Sequence, residues 1–253
     1  MKRYTIRKNA VVILENDTEI ARVSIASENS KLKGVYNIAL TPGSEMAGGT
    51  CSAEACENCH ANGCFGRNCY ERFPGTRRAW DRNTDAFRNH LEDVAIALDM
   101  WFTKYKPEFF RINVAGDLFS VDVIAMWDCI AEAHPDTLFL AYSKQYANVT
   151  EYIKRYGKTA HNFKLYASTY PGMYIPEFLQ HTLPIASMFD DTGLDIPKKS
   201  AVCPGSCADC KHCFLPEAGN IVFPRHGRGI STKRHTELVN IALYTFTGEL
   251  IRK

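Results

Sequence analysis

"FFRINVAGDLFSVDVIAMWDCIAEAHPDTLFLAYSK", residues 109–144, is the stretch that decides the fold class. It begins with a short apolar strand pattern, continues after Ser120 with apolar residues at helical spacing, and returns to a strand pattern after Pro135. A strand, a helix and a strand in this order form a β–α–β unit, in which the two strands lie parallel and the crossover is right-handed. The stretch therefore predicts a parallel sheet.

The same alternation extends in both directions from this unit. Downstream lie the strand patterns FKLYAST (163–169) and LPIASMF (183–189), separated by the short helix pattern IPEFLQH. Upstream, GVYNIALTPG (34–43) is a strand, and residues 82–105 form a helix for which Asn83 or Thr84 is the predicted cap.

These patterns predict an α/β fold with five or six β–α units. We expect a partial (β/α) barrel, since a complete barrel takes about 250 residues by itself. The first strands alternate and turn at Asn16-Asp17, which predicts a small antiparallel β flap. The predicted organisation is one α/β domain over 1–253, made of the flap (1–34), the partial barrel (35–200) and a cysteine-rich segment with a C-terminal extension (201–253).

Size and composition narrow the class of protein. The chain has 253 residues, of which 45% are hydrophobic, and a net charge of +2, so it carries no global basic field. The apolar run VAIALDMWF (94–102) contains Asp99 and is shorter than the roughly 20 residues that a membrane span needs. No secretory signal pattern opens the chain. These features predict a cytoplasmic protein without a membrane partner.

Cysteine is unusually frequent in this chain: there are ten, and nine of them fall into two groups. The first cysteine group consists of Cys51, Cys56, Cys59, Cys64 and Cys69. The second cysteine group consists of Cys203, Cys207, Cys210 and Cys213. The remaining cysteine, Cys129, lies on a helical pattern and is predicted to be a buried structural thiol.

Three kinds of chemistry compete for these thiols: disulfides, zinc and iron–sulfur clusters. A reducing cytoplasm disfavours disulfides. Structural zinc usually takes ligands from two well-separated pairs, whereas a compact run of four cysteines suits a cubane cluster better. The first group has one thiol more than a four-coordinate site needs, and His60 lies within it. The sequence therefore predicts metal binding by both groups, with iron–sulfur preferred and zinc as the alternative.

Polar residues follow the predicted strands at the ends where a parallel sheet binds its ligands. We expect these residues to line one mouth together with the cysteine groups. They are Ala115, Gly116 and Asp117, Ser143 and Lys144, Ser168 with Tyr170, and Asp190 with Asp191.

In its order of motifs the chain resembles the radical-SAM-like iron–sulfur proteins of phages and mobile elements. The first cysteine group ends in Cys69-Tyr70, the next strand ends in NVAGD, LFLAYSK follows, and the second group closes the pattern; the resemblance covers roughly residues 35 to 215. It implies a [4Fe–4S] cluster held by three cysteines, with an iron open to S-adenosylmethionine. It also implies a contact of Ala115, Gly116 and Asp117 with the methionine amine. The usual CxxxCxxC spacing is absent from the first group and occurs instead at Cys203, Cys207 and Cys210.

The function expected from this resemblance is that of a radical SAM-type enzyme with two [4Fe–4S] clusters, bound S-adenosylmethionine, and a reductant such as flavodoxin or ferredoxin. Ser143, Lys144 and Ser168 are expected to line the cofactor pocket. The alternative is a zinc-stapled, non-catalytic module that binds nucleic acid through the basic segment 223–235. The substrate is not indicated by the sequence.

Overall fold

The computed structural model describes residues 1–27, 30–61, 63–190, 200–225 and 231–247. Its first sheet is antiparallel, in the order β1 (Lys2–Arg7), β2 (Ala10–Glu15) and β3 (Thr18–Ser24). Asn16 and Asp17 turn β2 into β3 with φ values of 49° and 66°, as a tight hairpin turn requires. The predicted flap is confirmed.

The second sheet has seven parallel strands. They are β4 (Tyr36–Asn37), β5 (Phe109–Ile112), β6 (Leu138–Ser143), β7 (Phe163–Thr169), β8 (Ile185–Phe189), β9 (Ala201–Val202) and β10 (Ile221–Pro224). Their order is β4-β5-β6-β7-β8-β10-β9. The predicted α/β class with a parallel sheet is therefore confirmed.

Eight helices accompany these strands in the described residues. They are α1 (Ala53–Ala61), α2 (Phe65–Arg72), α3 (Pro74–Asn89), α4 (Leu91–Tyr105), α5 (Val121–Ala133), α6 (Tyr146–Tyr156), α7 (Glu177–Thr182) and α8 (Thr232–Thr247). Ser120 caps α5 by accepting a hydrogen bond from the Val123 amide at 3.2 Å. Pro135 follows the end of that helix, as the sequence predicted.

Strands β4 to β8 are neighbours in chain order, and the helices between them bury their apolar sides on one face of the sheet. A (β/α) barrel winds in one direction in this way, and the partial barrel stays a prediction. The other face carries Phe109, Leu140, Tyr166 and Ile221, and Phe214 from the second cysteine segment packs against it. We call this second face the inner face of the sheet.

The helix predicted over 82–105 is two helices, because the chain breaks at His90 between α3 and α4. Asn83 and Thr84 do not cap a helix. Both are buried inside α3, where Asn83 hydrogen-bonds the backbone of Ser24 and Ala39, and Thr84 accepts from the Thr41 amide at 2.8 Å. Their polar groups fasten α3 to β3 and to the chain after β4.

The residue patterns around both cysteine groups predict loops, and for the first cysteine segment this prediction is wrong. The segment forms α1 and α2, because the alanine- and glutamate-rich sequence AEACENCHA favours a helix and Ser52 Oγ accepts from the Ala55 amide at 3.2 Å. The second segment is irregular apart from one 3₁₀ turn, His212–Phe214. Strands β9 and β10 flank it and were not predicted.

Candidate functional site

The residues predicted at the strand ends do meet at one edge of the sheet. Asp117, after β5, is 5% exposed, and its carboxylate accepts hydrogen bonds from the Leu118 amide (2.7 Å), Ser143 Oγ (2.7 Å) and the Lys144 amide (2.8 Å). The carboxylate therefore ties the end of β5 to the end of β6. Burial raises the pKa of Asp117 above its usual range.

Lys144 bridges the ends of β6 and β7. Its Nζ donates to Ser168 Oγ at 3.0 Å and lies 4.5 Å from the centre of the Tyr170 ring. Burial alone would lower the pKa of Lys144, but Tyr170, Cys59 and Asp117 outweigh it and raise that pKa. Lys144 is thus a fixed cation beside the first cysteine group.

Ala115 and Gly116 pack against the chain itself. Ala115 is buried beside Gly66 of α2, where an added Cβ would lie 3.2 Å from the Ala115 Cβ. Gly116 has φ +72°, and a Cβ there would lie 2.5 Å from Thr50 Oγ1 and 2.8 Å from Leu40 Cβ. Glycine is required at 116 for its backbone angle and for this close approach.

Helices α1 and α2 position the first cysteine group at the same edge. Cys51 precedes α1, while Cys56 and Cys59 lie on it one turn apart. Cys64 is the N-cap of α2 and accepts from the Arg67 amide at 3.4 Å, and Cys69 lies on α2. The helices thus bring the thiols to the ends of β4 to β7, although β5, β6 and β7 come much later in the sequence.

Cys51, Cys59 and Cys64 interact electrostatically with one another and with Tyr170, and all five thiols of the group are half-buried. Burial is the main cause that raises the pKa of Cys51, and it raises the pKa of Cys59 to about 11. Cys56 interacts with Cys59, and Cys69 with Cys64. The side chain of His60 lies outside the described part of the structure.

The second cysteine group lies on the inner face of the sheet. Cys203 follows β9, and its amide donates to the Val222 carbonyl of β10 at 2.8 Å. The Cys207 amide donates to the Lys31 carbonyl at 2.8 Å. Cys203, Cys207 and Cys213 all pack against the apolar cluster that contains Tyr166. Cys203 interacts electrostatically with Cys207 and Cys210, which brings the fourth thiol into the same group.

Polar side chains of β5, β6 and β7 surround these thiols. Tyr142 and Cys213 pack against the same apolar cluster, and the Arg111 guanidinium interacts electrostatically with both Cys203 and Cys213. Burial raises the pKa of Cys213 to about 12, although Tyr142 and Arg111 act in the opposite direction.

All ten cysteines have free thiols, and the expectation that the two groups bind metal instead of forming disulfides stays a prediction. In the residues described, no three Cys, His, Asp or Glu side chains stand in an arrangement that holds a metal ion as they are placed. The donor chemistry of both groups suits a thiolate-bound centre, but the thiols must close further around it. Cys129 is exposed on α5; the prediction that it is buried was wrong, because it faces away from the sheet-facing side of that helix.

Several residues of these sites were missed from the sequence. Gln145 Nε2 donates to the Thr50 carbonyl and to Glu45 Oε1, both at 2.8 Å, and so holds the chain before Cys51. Asn113, at the end of β5, has φ 51° and a buried amide without a hydrogen-bond partner. Arg111 alternates with the core residues Phe110 and Ile112 of β5, and this strand alternation was the available signal that it faces inward.

The remaining predicted residues lie partly outside the described chain. Asp190 pairs with Arg225 at 3.4 Å, while Asp191 lies outside the described residues. In the basic segment 223–235, residues 226–230 also lie outside them, and Arg234 pairs with Glu237 at 3.4 Å. These pairings partly neutralise the segment.

No helix in the described ranges is long and apolar enough to cross a membrane. Comparison with known proteins finds no match among curated proteins and none among solved structures. The model of one protein family, Gene product 88, matches residues 12–193. This match covers β3 and most of β2 in the flap, the first cysteine group and strands β4 to β8, and it agrees with the predicted resemblance to gene products of phage and mobile-element type. The chain belongs to the Gene product 88 family.

Proposed function

We propose that this protein is an iron–sulfur enzyme of the radical SAM type, with one cluster at each cysteine group. The observation that carries the proposal is the convergence of Cys51, Cys59 and Cys64 at the carboxyl edge of a parallel sheet, beside Lys144 and Tyr170. Three thiols at this edge match the number that leaves one iron of a [4Fe–4S] cluster open. The edge is also where such sheets bind ligands.

When held by Cys51, Cys59 and Cys64, a reduced [4Fe–4S] cluster would supply the chemistry for reductive cleavage of a carbon–sulfur bond of S-adenosylmethionine, which would start radical chemistry on a second molecule. An external reductant of the flavodoxin or ferredoxin class supplies that electron to the protein.

The chain's own residues orient and neutralise this site. Lys144 places a positive charge beside thiols that become negative when they bind iron. Asp117 fixes the backbone of Lys144 and the hydroxyl of Ser143. The Tyr170 ring lies 4.5 Å from Lys144 Nζ and interacts electrostatically with Cys51, Cys59 and Cys64. Together these contacts set the position of the cation before any ligand arrives.

Binding of iron requires the cysteine thiols to lose their protons. Because burial raises the pKa of Cys51 and Cys59, both are thiols at neutral pH, and only thiolates bind iron. We therefore expect loading to release protons, to pull the three thiols together, and to stabilise the fold. Free thiols also need a reducing compartment, which supports a cytoplasmic location.

The test is anaerobic reconstitution of the full chain with iron and sulfide, followed by measurement of both elements per chain. We expect a brown protein with acid-labile sulfide and a lower iron content in Cys59→Ser. The control is Cys129→Ser, which should keep its iron because Cys129 is exposed on α5, away from both groups. Bound zinc without labile sulfide would overturn the proposal.

Binding of S-adenosylmethionine is tested separately, by titrating it into the reconstituted protein. We expect saturable binding that disappears in Cys59→Ser. Iron-loaded protein that does not bind S-adenosylmethionine would reduce the proposal to an iron–sulfur protein of another class.

A second candidate function is a zinc-stapled module that binds nucleic acid. The observation in its favour is that Arg72, Arg77 and Arg78 are exposed along α2 and α3, where they can contact phosphates. It predicts colourless, zinc-loaded protein whose affinity for nucleic acid falls steeply with salt.

A further inference from the structure

Two buried hydrogen-bond donors beside the second cysteine group have no acceptor. They are Arg111 Nε and the Tyr166 hydroxyl, neither of which has a hydrogen-bond partner in the described structure. A buried donor without a partner destabilises the fold, because it has lost its hydrogen bonds to water. Such groups usually mark a missing acceptor.

Both donors belong to one set of contacts on the inner face of the sheet. The Arg111 guanidinium lies 5.1 Å from the centre of the Tyr142 ring, and the Tyr142 and Tyr166 rings are 5.2 Å apart. Tyr142 packs against the apolar cluster that contains Tyr166, and so do Cys203, Cys207 and Cys213. The two orphaned donors therefore adjoin the thiols.

The charge and the donors fit a sulfur-rich anion. A [4Fe–4S] cluster held by four thiolates carries net negative charge, and its sulfurs accept hydrogen bonds. A guanidinium is always protonated, so its charge persists at any working pH. No acidic side chain forms an ion pair with Arg111 in the part of the chain that the structure describes. Its charge is therefore available to the thiols.

We propose that Arg111, Tyr142 and Tyr166 form a positively charged, hydrogen-bonding shell for an iron–sulfur cluster on Cys203, Cys207, Cys210 and Cys213, and that this shell raises its reduction potential. The inference rests on the proposed function. Reduction adds one electron to the cluster, and the nearby guanidinium stabilises the added negative charge. The hydroxyls of Tyr142 and Tyr166 stabilise it by donating to cluster or cysteine sulfur.

The test compares Arg111→Gln with the charge-preserving Arg111→Lys in the reconstituted full chain, by redox titration with dithionite followed by electron paramagnetic resonance. We expect Arg111→Gln to lower the equilibrium constant for reduction of one cluster at least tenfold, which corresponds to about 59 mV for one electron. Arg111→Lys should shift it less. The signal that moves should be the one lost in Cys213→Ser.

Failure of the inference and failure of the proposed function give different results. Wild-type protein without labile sulfide overturns the proposed function. Sulfide-loaded protein with equal potentials in wild type and Arg111→Gln overturns only the inference. If Arg111→Gln does not bind a cluster, Tyr166→Phe is tested instead, because it removes only one hydroxyl. An unchanged reduction potential in Tyr166→Phe would then overturn the proposed shell.

Discussion

At the scale of single residues, Asp117 shows how a residue expected to face a ligand is used by the fold. Its carboxylate accepts three hydrogen bonds from Leu118, Ser143 and Lys144. The expectation that it pairs with the amine of S-adenosylmethionine stays a prediction, and that pairing would have to share oxygens with these donors. Ser120 caps α5 by itself, so Asp117 is not part of that cap.

We predict that Asp117→Asn lowers the stability of the protein by about 1–3 kcal/mol, because an amide nitrogen cannot accept the bonds that one carboxylate oxygen accepts. Thermal unfolding of the metal-free chain measures this. Asp136→Asn, at an exposed position, is the matched control and should unfold at the wild-type temperature. An unchanged melting temperature together with weaker S-adenosylmethionine binding would instead assign Asp117 to the ligand.

At the scale of elements, the loop after β5 is held against the chain before α1. Gly116 makes this contact possible, since its missing side chain leaves room for Thr50 and Leu40. Thr50 Oγ1 in turn accepts from the Asp117 amide at 2.9 Å. The residue next to Thr50 is Cys51, so the packing of this loop determines where the first cysteine group begins.

We predict that Gly116→Ala destabilises the protein more than Gly157→Ala. Both glycines have positive φ, +72° and +90°, but an added Cβ at Gly157 meets nothing within 4 Å. The strain alone is worth about 1–2 kcal/mol, and overpacking at Gly116 adds about 1–3 kcal/mol. Chemical denaturation measures both variants. Gly116→Ala should also load less iron; equal stability and loading in the two variants would show that the contact with Thr50 is unimportant.

The flap is fastened to α4 by Asp93, which accepts from Lys2 Nζ at 2.7 Å and from the Tyr4 hydroxyl at 3.0 Å. Burial acts to raise the pKa of Asp93, but these bonds outweigh it and hold that pKa below its usual 3.8. The ionised carboxylate therefore stabilises the fold above that pH, and this contribution is lost as the pH falls through the lowered folded-state pKa.

We predict that Asp93→Asn destabilises the protein by about 1–2 kcal/mol at pH 7, since Lys2 is partly exposed and its bond is partly screened. The difference from wild type should shrink below pH 4. Urea denaturation at several pH values measures it, with the exposed Asp85→Asn as control. A difference that is constant with pH would mean that the charge of Asp93 is not what fastens the flap.

At the scale of the whole molecule, the two cysteine groups lie beside successive positions along the same strands. The first group contacts Asp117, Lys144 and Tyr170 at the strand ends. The second contacts Arg111, Tyr142 and Tyr166, which precede those residues on β5, β6 and β7. Tyr142 and Lys144 are two residues apart at the end of β6, which corresponds to about 7 Å along a strand. The two groups are therefore neighbours there but contact different side chains.

We predict that the groups load independently. Cys59→Ser should remove only the iron of the first group and Cys207→Ser only that of the second, while the double variant should bind neither. Iron and sulfide analysis of the three variants measures this. If either single substitution emptied both groups, they would form one shared centre.

The sequence by itself determined the winding of the sheet, because apolar strands and helices alternate along the chain and parallel crossovers have one hand. It also located the thiols and most polar residues at the strand ends, since a strand end can be recognised as a polar stretch after an apolar run. It did not determine the helices of the first cysteine segment, the break at His90 or the exposure of Cys129. Those depend on which face each side chain turns to its neighbours.

Only the tertiary structure decided which residues meet. It brought together Cys51, Cys59 and Cys64 out of five candidates, placed the second group on the inner face of the sheet, and set Arg111 beside it. It also showed that Asn83 and Thr84 join two elements instead of capping one. Such pairings follow from the packing of strands and helices that lie far apart in sequence, and no local pattern encodes a contact across that distance.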